Sequence, residues 1–301
     1  MQSPVKWFGG KSAMASMIAK LFPPHRIYVE VFGGGGSVLF GKEPSPVEVY
    51  NDLDSGLVNF FRVLRDQKQA AQLYFLASRT PYSREEYLHA RDGWRTETDP
   101  VSKAHLWYIT MRMGYGALMN PSNGWSRSLT TGRDMAQCTQ SFLGSNARLA
   151  EACDRLSRVQ IEQRDFRELI DAFDTEQTVF YIDPPYVPDT RRGGEYDHEL
   201  SDEDHHDLVS ILLKLKGHAI LSGYATEIYD PLLKAGWKLR THAKLCKIGF
   251  NTQRAKLDPK KAGRVECLWL SPAIKVKRRR SHQPKPCLAR RTHATLARGA
   301  A

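Results

Sequence analysis

The chain has 301 residues, 41% of them hydrophobic, and a formal net charge of +11. It holds enough apolar residues for a sizeable core, yet no apolar run approaches the ~20 residues of a membrane span. The five scattered cysteines form no Cys-x-x-Cys pair, and Met1-Gln2-Ser3-Pro4 lacks a signal-peptide pattern, so the expectation is a reduced cytoplasmic protein without a disulfide framework or metal site.

The first predicted strand is Ile27–Phe32, followed at once by Gly33-Gly34-Gly35-Gly36-Ser37. The second runs from Val47 to Tyr50 and ends in Asn51-Asp52. From about Leu57 to Arg158 the pattern turns helical and polar, with a Gly/Ser/Asn-rich centre from Gly114 to Gly132. That stretch is too long for a loop and reads as an insertion. Short strands return at Val159–Ile161, Thr178–Ile182 and His218–Ser222. A helix from Asp204 to Lys216, capped by Ser201, separates the last two. His205 and His206, beside Asp202 and Asp204, read as a capped, solvated helix start rather than a metal site. Val265–Leu270 is the last predicted strand. This alternation predicts an α/β fold with a mostly parallel sheet. The chain divides into a catalytic domain (1–60 and 156–272), an inserted helical domain (61–155) and a basic tail (273–301). Residues 275–298 hold nine Lys and Arg and no acid. Such a run suits a polyanionic partner through counterion release, and equally a disordered, solubilising end.

Ligands of doubly wound sheets bind beyond the carboxyl ends of the strands. The glycine run after the first strand fits neither the dinucleotide fingerprint nor a P-loop, since Val38 or Leu39 stands where a third glycine belongs and Glu43 follows Lys42. It does permit close backbone approach to a ligand. Asp52, at the neighbouring strand end, has the chemistry to hold ribose hydroxyls. The most specific signal is Asp183-Pro184-Pro185-Tyr186 directly after an apolar strand. The two prolines fix the backbone and with it the relative positions of the Asp183 carboxylate, the Pro184 carbonyl and the Tyr186 ring. An adenine amine is a weak nucleophile because its lone pair is delocalised. Two acceptors aimed at its hydrogens localise that pair, and an aromatic face stacks on the base.

Five segments, in this order, resemble the Dam-like family of DNA adenine methyltransferases: Lys6–Lys11, Val29–Ser37, Tyr50–Asp54, Arg164–Phe166 and Asp183–Tyr186. Val31 stands where the family usually has proline, and the last segment is unchanged. The resemblance covers most of residues 4–271. It implies a Rossmann-like S-adenosylmethionine-dependent methyltransferase fold with an inserted helical target-recognition domain. It also implies a C-terminal antiparallel hairpin and double-stranded DNA as the partner. Trp7, Lys11, Phe32, Gly33, Gly35, Ser37 and Asp52 would form the S-adenosylmethionine pocket, Lys11 near the methionine carboxylate. Asp165 and the Phe166 backbone would read the cofactor's adenine, Asp183 would also reach the cofactor's amino group, and Asp183, Pro184 and Tyr186 would serve the flipped target base. Within the insertion, Arg112–Leu118 resembles the start of the DNA-reading segment. Arg112, Tyr115, Asn123, Trp125, Arg127 and Arg133 are therefore the expected DNA contacts. Residues 120–133 do not match the form typical of GATC enzymes, so no target sequence is implied. The alternatives are N4-cytosine, RNA-adenine or glutamine-amide methylation, and an inactive DNA-binding module. The sequence leaves oligomeric state open.

Overall fold

The computed structural model describes residues 1–7, 9–117, 119, 122–187, 199–244 and 264–274. Helix α1 (Ala15–Ala19) precedes strand β1 (Ile27–Glu30), helix α2 (Ser37–Gly41) and strand β2 (Val47–Asn51). Helices α3 (Ser55–Arg65), α4 (Gln67–Arg79), α5 (Arg84–Gly93) and α6 (Pro100–Met113) follow. A short ribbon, β3 (Thr131–Gly132) with β4 (Met135–Ala136), leads to α7 (Gln137–Asn146) and α8 (Leu149–Leu156). Strands and helices then alternate as β5 (Val159–Glu162), α9 (Phe166–Phe173), β6 (Thr178–Ile182), α10 (Asp202–Leu212), β7 (His218–Gly223) and α11 (Asp230–Lys234). Strands β8 (Lys238–Lys244) and β9 (Arg264–Leu270) close the order.

Among the described residues the main sheet has seven strands in the order β5-β2-β1-β6-β7-β9-β8. The first five run parallel, β9 runs antiparallel to β7, and β8 antiparallel to β9. The strand order reverses between β1 and β6, which pair in parallel with Glu30 opposite Tyr181. The glycine run and Asp183 therefore leave the sheet side by side, at the point where open α/β sheets bind ligands.

Because strand side chains alternate between faces, the sheet feeds two cores. Tyr28, Tyr50, Val179 and Tyr181 point to one, and Val29, Val49, Phe180 and Ile182 to the other. The first face packs residues of α3 to α8, including Phe60, Phe61, Trp107 and Tyr108. The second packs α9, α10 and α11. Aromatic residues of 61–155, the expected insertion, thus share one continuous core with the sheet.

Three local expectations shift. Ser201 caps α10 and forms a capping box with Asp204, but the helix ends at Leu212 rather than Lys216. His205, expected on a solvated helix start, is fully buried, with Nδ1 2.9 Å from the Tyr229 hydroxyl. It falls on the inward face of α10, one turn before Leu208 and Val209. At the C-terminal end, Ile274 is buried and its N–H donates to Ser271 O at 3.0 Å, so packed chain extends beyond residue 272. The basic run from Lys275 onward lies outside the described residues.

Candidate active site

A cavity of about 1150 Å³, counted to its open mouth, lies beyond the carboxyl ends of β1, β2 and β6. Every residue expected at the cofactor and target-base sites lines it: Trp7, Lys11, Phe32, Gly33, Gly35 and Ser37 from the N-terminal side, with Asp52, Asp165, Phe166, Asp183, Pro184 and Tyr186 opposite. The strand ends bring them together across more than 170 positions of sequence.

The glycine run turns sharply, with Gly34 at φ +47° and Gly36 at φ +64°. A Cβ on Gly33 would sit 2.1 Å from the Tyr50 ring, and one on Gly34 2.6 Å from Trp7. The glycines are therefore required first by Tyr50 and Trp7, which press against the loop, and not solely by a ligand. Tyr50 Oη donates to Gly34 O at 2.6 Å, and Gly34 N–H donates to Asp52 Oδ2 at 2.7 Å. Asp52 Oδ1 accepts from Asp54 N–H at 2.9 Å. These bonds hold the Asp52 carboxylate rigidly at the cavity wall. Across from it, Asp165 caps α9 by accepting the Arg167 N–H at 2.8 Å. The Phe166 ring lies 5.6 Å from that of Phe32, which gives this end of the cavity an aromatic wall.

At the other end Lys11 is 4% exposed, and its Nζ lies 2.7 Å from both oxygens of Asp183. The family resemblance implies a place for Lys11 near the methionine carboxylate of the cofactor; here its ammonium meets protein carboxylates, with Glu266 Oε1 also 3.5 Å away. Burial works against the ammonium charge. Asp183 first and Glu266 second outweigh it, and the pKa lies above the ordinary lysine value. Tyr186 Oη donates to Glu266 Oε1. Burial, then Asp183 and Glu266, push this phenol well above its usual range, so it stays protonated.

Two site residues went unnoticed in the sequence. Glu30 lines the cavity at the end of β1, and Glu266 stands behind the wall on β9. Each is an acidic residue flanked by apolar ones, Val29 and Val31 for Glu30 and Val265 and Cys267 for Glu266, the pattern that could mark them. Glu30 accepts from Tyr28 Oη at 2.7 Å and from Leu39 N–H at 2.8 Å. Burial raises its pKa from 4.5 to about 7 despite these bonds.

The residues expected to contact DNA divide. Arg112 is 6% exposed, and its Nη2 donates to Ser141 O at 2.6 Å and Ser141 Oγ at 3.1 Å. It is a buried tie between α6 and α7, because its place on α6 faces the core. Trp125 is half-buried, 5.7 Å from the Tyr82 ring, with the Arg84 guanidinium 5.2 Å from its own ring. Asn123 Nδ2 donates to Tyr115 O at 2.9 Å and so fastens the loop. Tyr115 is 71% exposed, and Arg127 and Arg133 are exposed. Arg133 (φ +48°) and Asp134 (φ +60°) form the two-residue turn between β3 and β4. Positive φ at both positions marks a type I′ hairpin turn, a strained conformation for arginine.

Among the described residues no helix is long and apolar enough to cross a membrane. The family of D12 class N6 adenine-specific DNA methyltransferases matches residues 7–242. The chain is 28% identical over 223 residues to the DNA N-6-adenine-methyltransferase of Escherichia phage P1, covering 70% of this chain and 28% of that protein. It is 24% identical over 210 residues to a type II methyltransferase of Lactococcus lactis subsp. cremoris, covering 64% of this chain and 69% of that enzyme. It is also 24% identical over 188 residues to the DNA adenine methylase of Salmonella typhi, covering 61% of this chain and 64% of that protein. The chain therefore spans under a third of the phage relative and about two thirds of the other two.

Proposed function

The chain belongs to the family of D12 class N6 adenine-specific DNA methyltransferases, and on that premise we propose that it transfers the methyl group of S-adenosylmethionine to the N6 amine of an adenine flipped out of double-stranded DNA. The observation that carries this reading is the Asp183-Pro184-Pro185-Tyr186 turn at the switch point of the sheet, sharing one cavity with the glycine loop and Asp52.

The lining fits S-adenosylmethionine by chemistry. Asp52 suits ribose hydroxyls, the Phe32 and Phe166 rings suit a purine face, and Asp165 suits its amino group. When bound, the cofactor supplies an electrophilic methyl on a positive sulfonium. The chain's own residues do the rest. N6 of adenine is paired within the duplex, so the base has to leave the stack before it reaches the cavity. Tyr186 offers it a ring to stack on. Asp183 and the Pro184 carbonyl would accept from the amine hydrogens and localise the N6 lone pair, so that it is directed at the methyl group the bound donor would supply. The surplus proton of N6 passes to Asp183 and from there to solvent. Preorganised acceptors and orientation supply the rate enhancement.

Tyr115, Arg127 and Arg133 form the DNA-facing set, since all three are exposed on the loop and hairpin that follow α6. Arginine suits guanine edges and phosphates, and an exposed ring suits wedging between bases. Arg112 leaves this set because its guanidinium is engaged by Ser141. The reading is tested by incubating the protein with mixed-sequence duplex DNA and methyl-labelled S-adenosylmethionine, then analysing the digested nucleosides by mass spectrometry. N6-methyladenine is the expected product. Label in N4-methylcytosine, with none in N6-methyladenine, would overturn it.

A further inference from the structure

Glu266 lies in the middle of β9 and is 1% exposed. A carboxylate held out of water is costly unless its partners compensate, and its partners come from three other parts of the chain. Tyr186 Oη donates to Oε1, Ser222 Oγ of β7 donates to the same oxygen at 3.0 Å, and Lys11 Nζ stands 3.5 Å from it. Lys11 in turn holds both Asp183 oxygens at 2.7 Å and lies 4.9 Å from the centre of the Tyr186 ring. Lys11, Asp183 and Tyr186 all face the cavity, whereas Glu266 stands behind them.

We propose that Glu266 is a positioning residue of the methyl-transfer site, fixing the Tyr186 ring through its hydroxyl and sharing the Lys11 ammonium with Asp183. The proposal rests on the methyl-transfer reading above. A ring that must stack on an incoming base gains from an anchor at its far end. The Tyr224 ring, 4.6 Å away and nearly perpendicular, supports Tyr186 from the side. Glu266 supplies the hydroxyl anchor. It also draws on the charge of Lys11, so that Asp183 is not neutralised by a dedicated cation and remains a strong acceptor. Lys11, Asp183 and Glu266 together carry one net negative charge, which complements a positively charged methyl donor. A purely structural role, tying β9 to its neighbours, would need neither the Tyr186 contact nor the Lys11 contact. The backbone ladders of β9 with β7 and β8, together with Ser222, provide that tie.

Three variants separate the roles. Glu266→Gln keeps the volume and an acceptor oxygen but removes the charge. Glu266→Ala removes both, and Tyr186→Phe keeps the ring without its hydroxyl. Expected are a fall in kcat of about 10-fold for E266Q and about 100-fold for E266A, with the S-adenosylmethionine Kd from calorimetry changed less than threefold in both. The E266A/Y186F double variant should be little slower than E266A alone, since coupled residues are non-additive. Unchanged kcat in E266A overturns the proposal. So does additivity in the double variant, or a parallel loss of kcat, donor affinity and Tm in both E266Q and E266A. Fluorotyrosine at position 186 gives a readout free of turnover: its fluorine resonance should move in E266Q without DNA present. An unmoved resonance overturns the Glu266 proposal. A moved resonance in a protein that methylates no adenine supports the contact and overturns the methyl-transfer reading instead.

Discussion

Asp183 has two demands on one carboxylate: it pairs with the buried Lys11 and is assigned to the target amine. Removing it outright would leave Lys11 with Glu266 as its remaining carboxylate partner, so Asp183→Asn is the cleaner test because shape and polarity stay. Loss of one preorganised electrostatic group typically costs about 100- to 1000-fold in kcat. D183N should show a loss of that order in transfer of labelled methyl, with donor affinity by calorimetry nearly unchanged. Turnover within a few-fold of wild type would remove Asp183 from the chemistry. Glu30 makes a separate prediction in pH. Its carboxyl is raised from 4.5 to about 7 in the folded chain, chiefly by burial. The folded state therefore holds this proton more tightly than the unfolded state does. The stability it contributes is complete below about pH 4 and is lost as pH rises through 7. The difference corresponds to roughly 3 kcal/mol. Urea unfolding of Glu30→Gln against wild type should show the variant gaining by about that much between pH 4 and 8. A pH-independent difference would mean that the Glu30 carboxyl titrates normally.

The contact between α3 and α6 rests on Gly56. Trp107 crosses α3 there, and Phe60, one turn on, meets Trp107 and Tyr108 at ring distances of 5.2 and 5.4 Å. A Cβ on Gly56 would lie 2.3 Å from Trp107 and 2.7 Å from Trp94. Both rings are buried and cannot swing into solvent. Gly56→Ala gains about 1 kcal/mol in helix propensity, but overpacking of this kind costs about 1–3 kcal/mol. The overpacking should win, and G56A should unfold at a lower temperature. Gly93→Ala is the control: its Cβ would meet nothing closer than Leu106 at 3.6 Å. It should be neutral or slightly stabilising. A stabilised G56A would show that α6 can move away from α3, and that the helical region is less firmly joined to the sheet than their shared core implies.

For the whole molecule the charge distribution makes the prediction. Residues 275–298 carry nine basic side chains and no acid, out of a net charge of +11. Deleting residues 275–301 leaves Ile274 and the packed core intact. It should weaken binding to all DNA sequences alike, and lower the slope of log affinity against log salt by about 0.9 for each phosphate the tail contacts. The methylated sequence should not change. Titration of duplex DNA at several salt concentrations, with the full chain and the truncated one, measures both. Equal slopes would make the run a solvated end, and a changed target sequence would make it a reader of bases.

The sequence by itself determined the order of strands and the residues at their carboxyl ends. Those signals are local: short β-branched and aromatic runs that end in turns, a glycine cluster, and two prolines after a strand. A cavity at the switch point follows once the strands are parallel, which is why Asp52 and Asp183 stand out at strand ends; Trp7 and Asp165 are marked only by the resemblance to the family. Tertiary structure alone decided which side chains are withdrawn into the protein. Arg112 reads as a surface cation until α7 brings Ser141 against it, and His205 as a solvated one until Tyr229 covers it. Glu266 lies 80 positions from Tyr186 and more than 250 from Lys11, and no local pattern joins them. Burial and pairing are properties of the packed molecule. The free energy of a charged side chain depends on neighbours that the chain supplies only after it has folded.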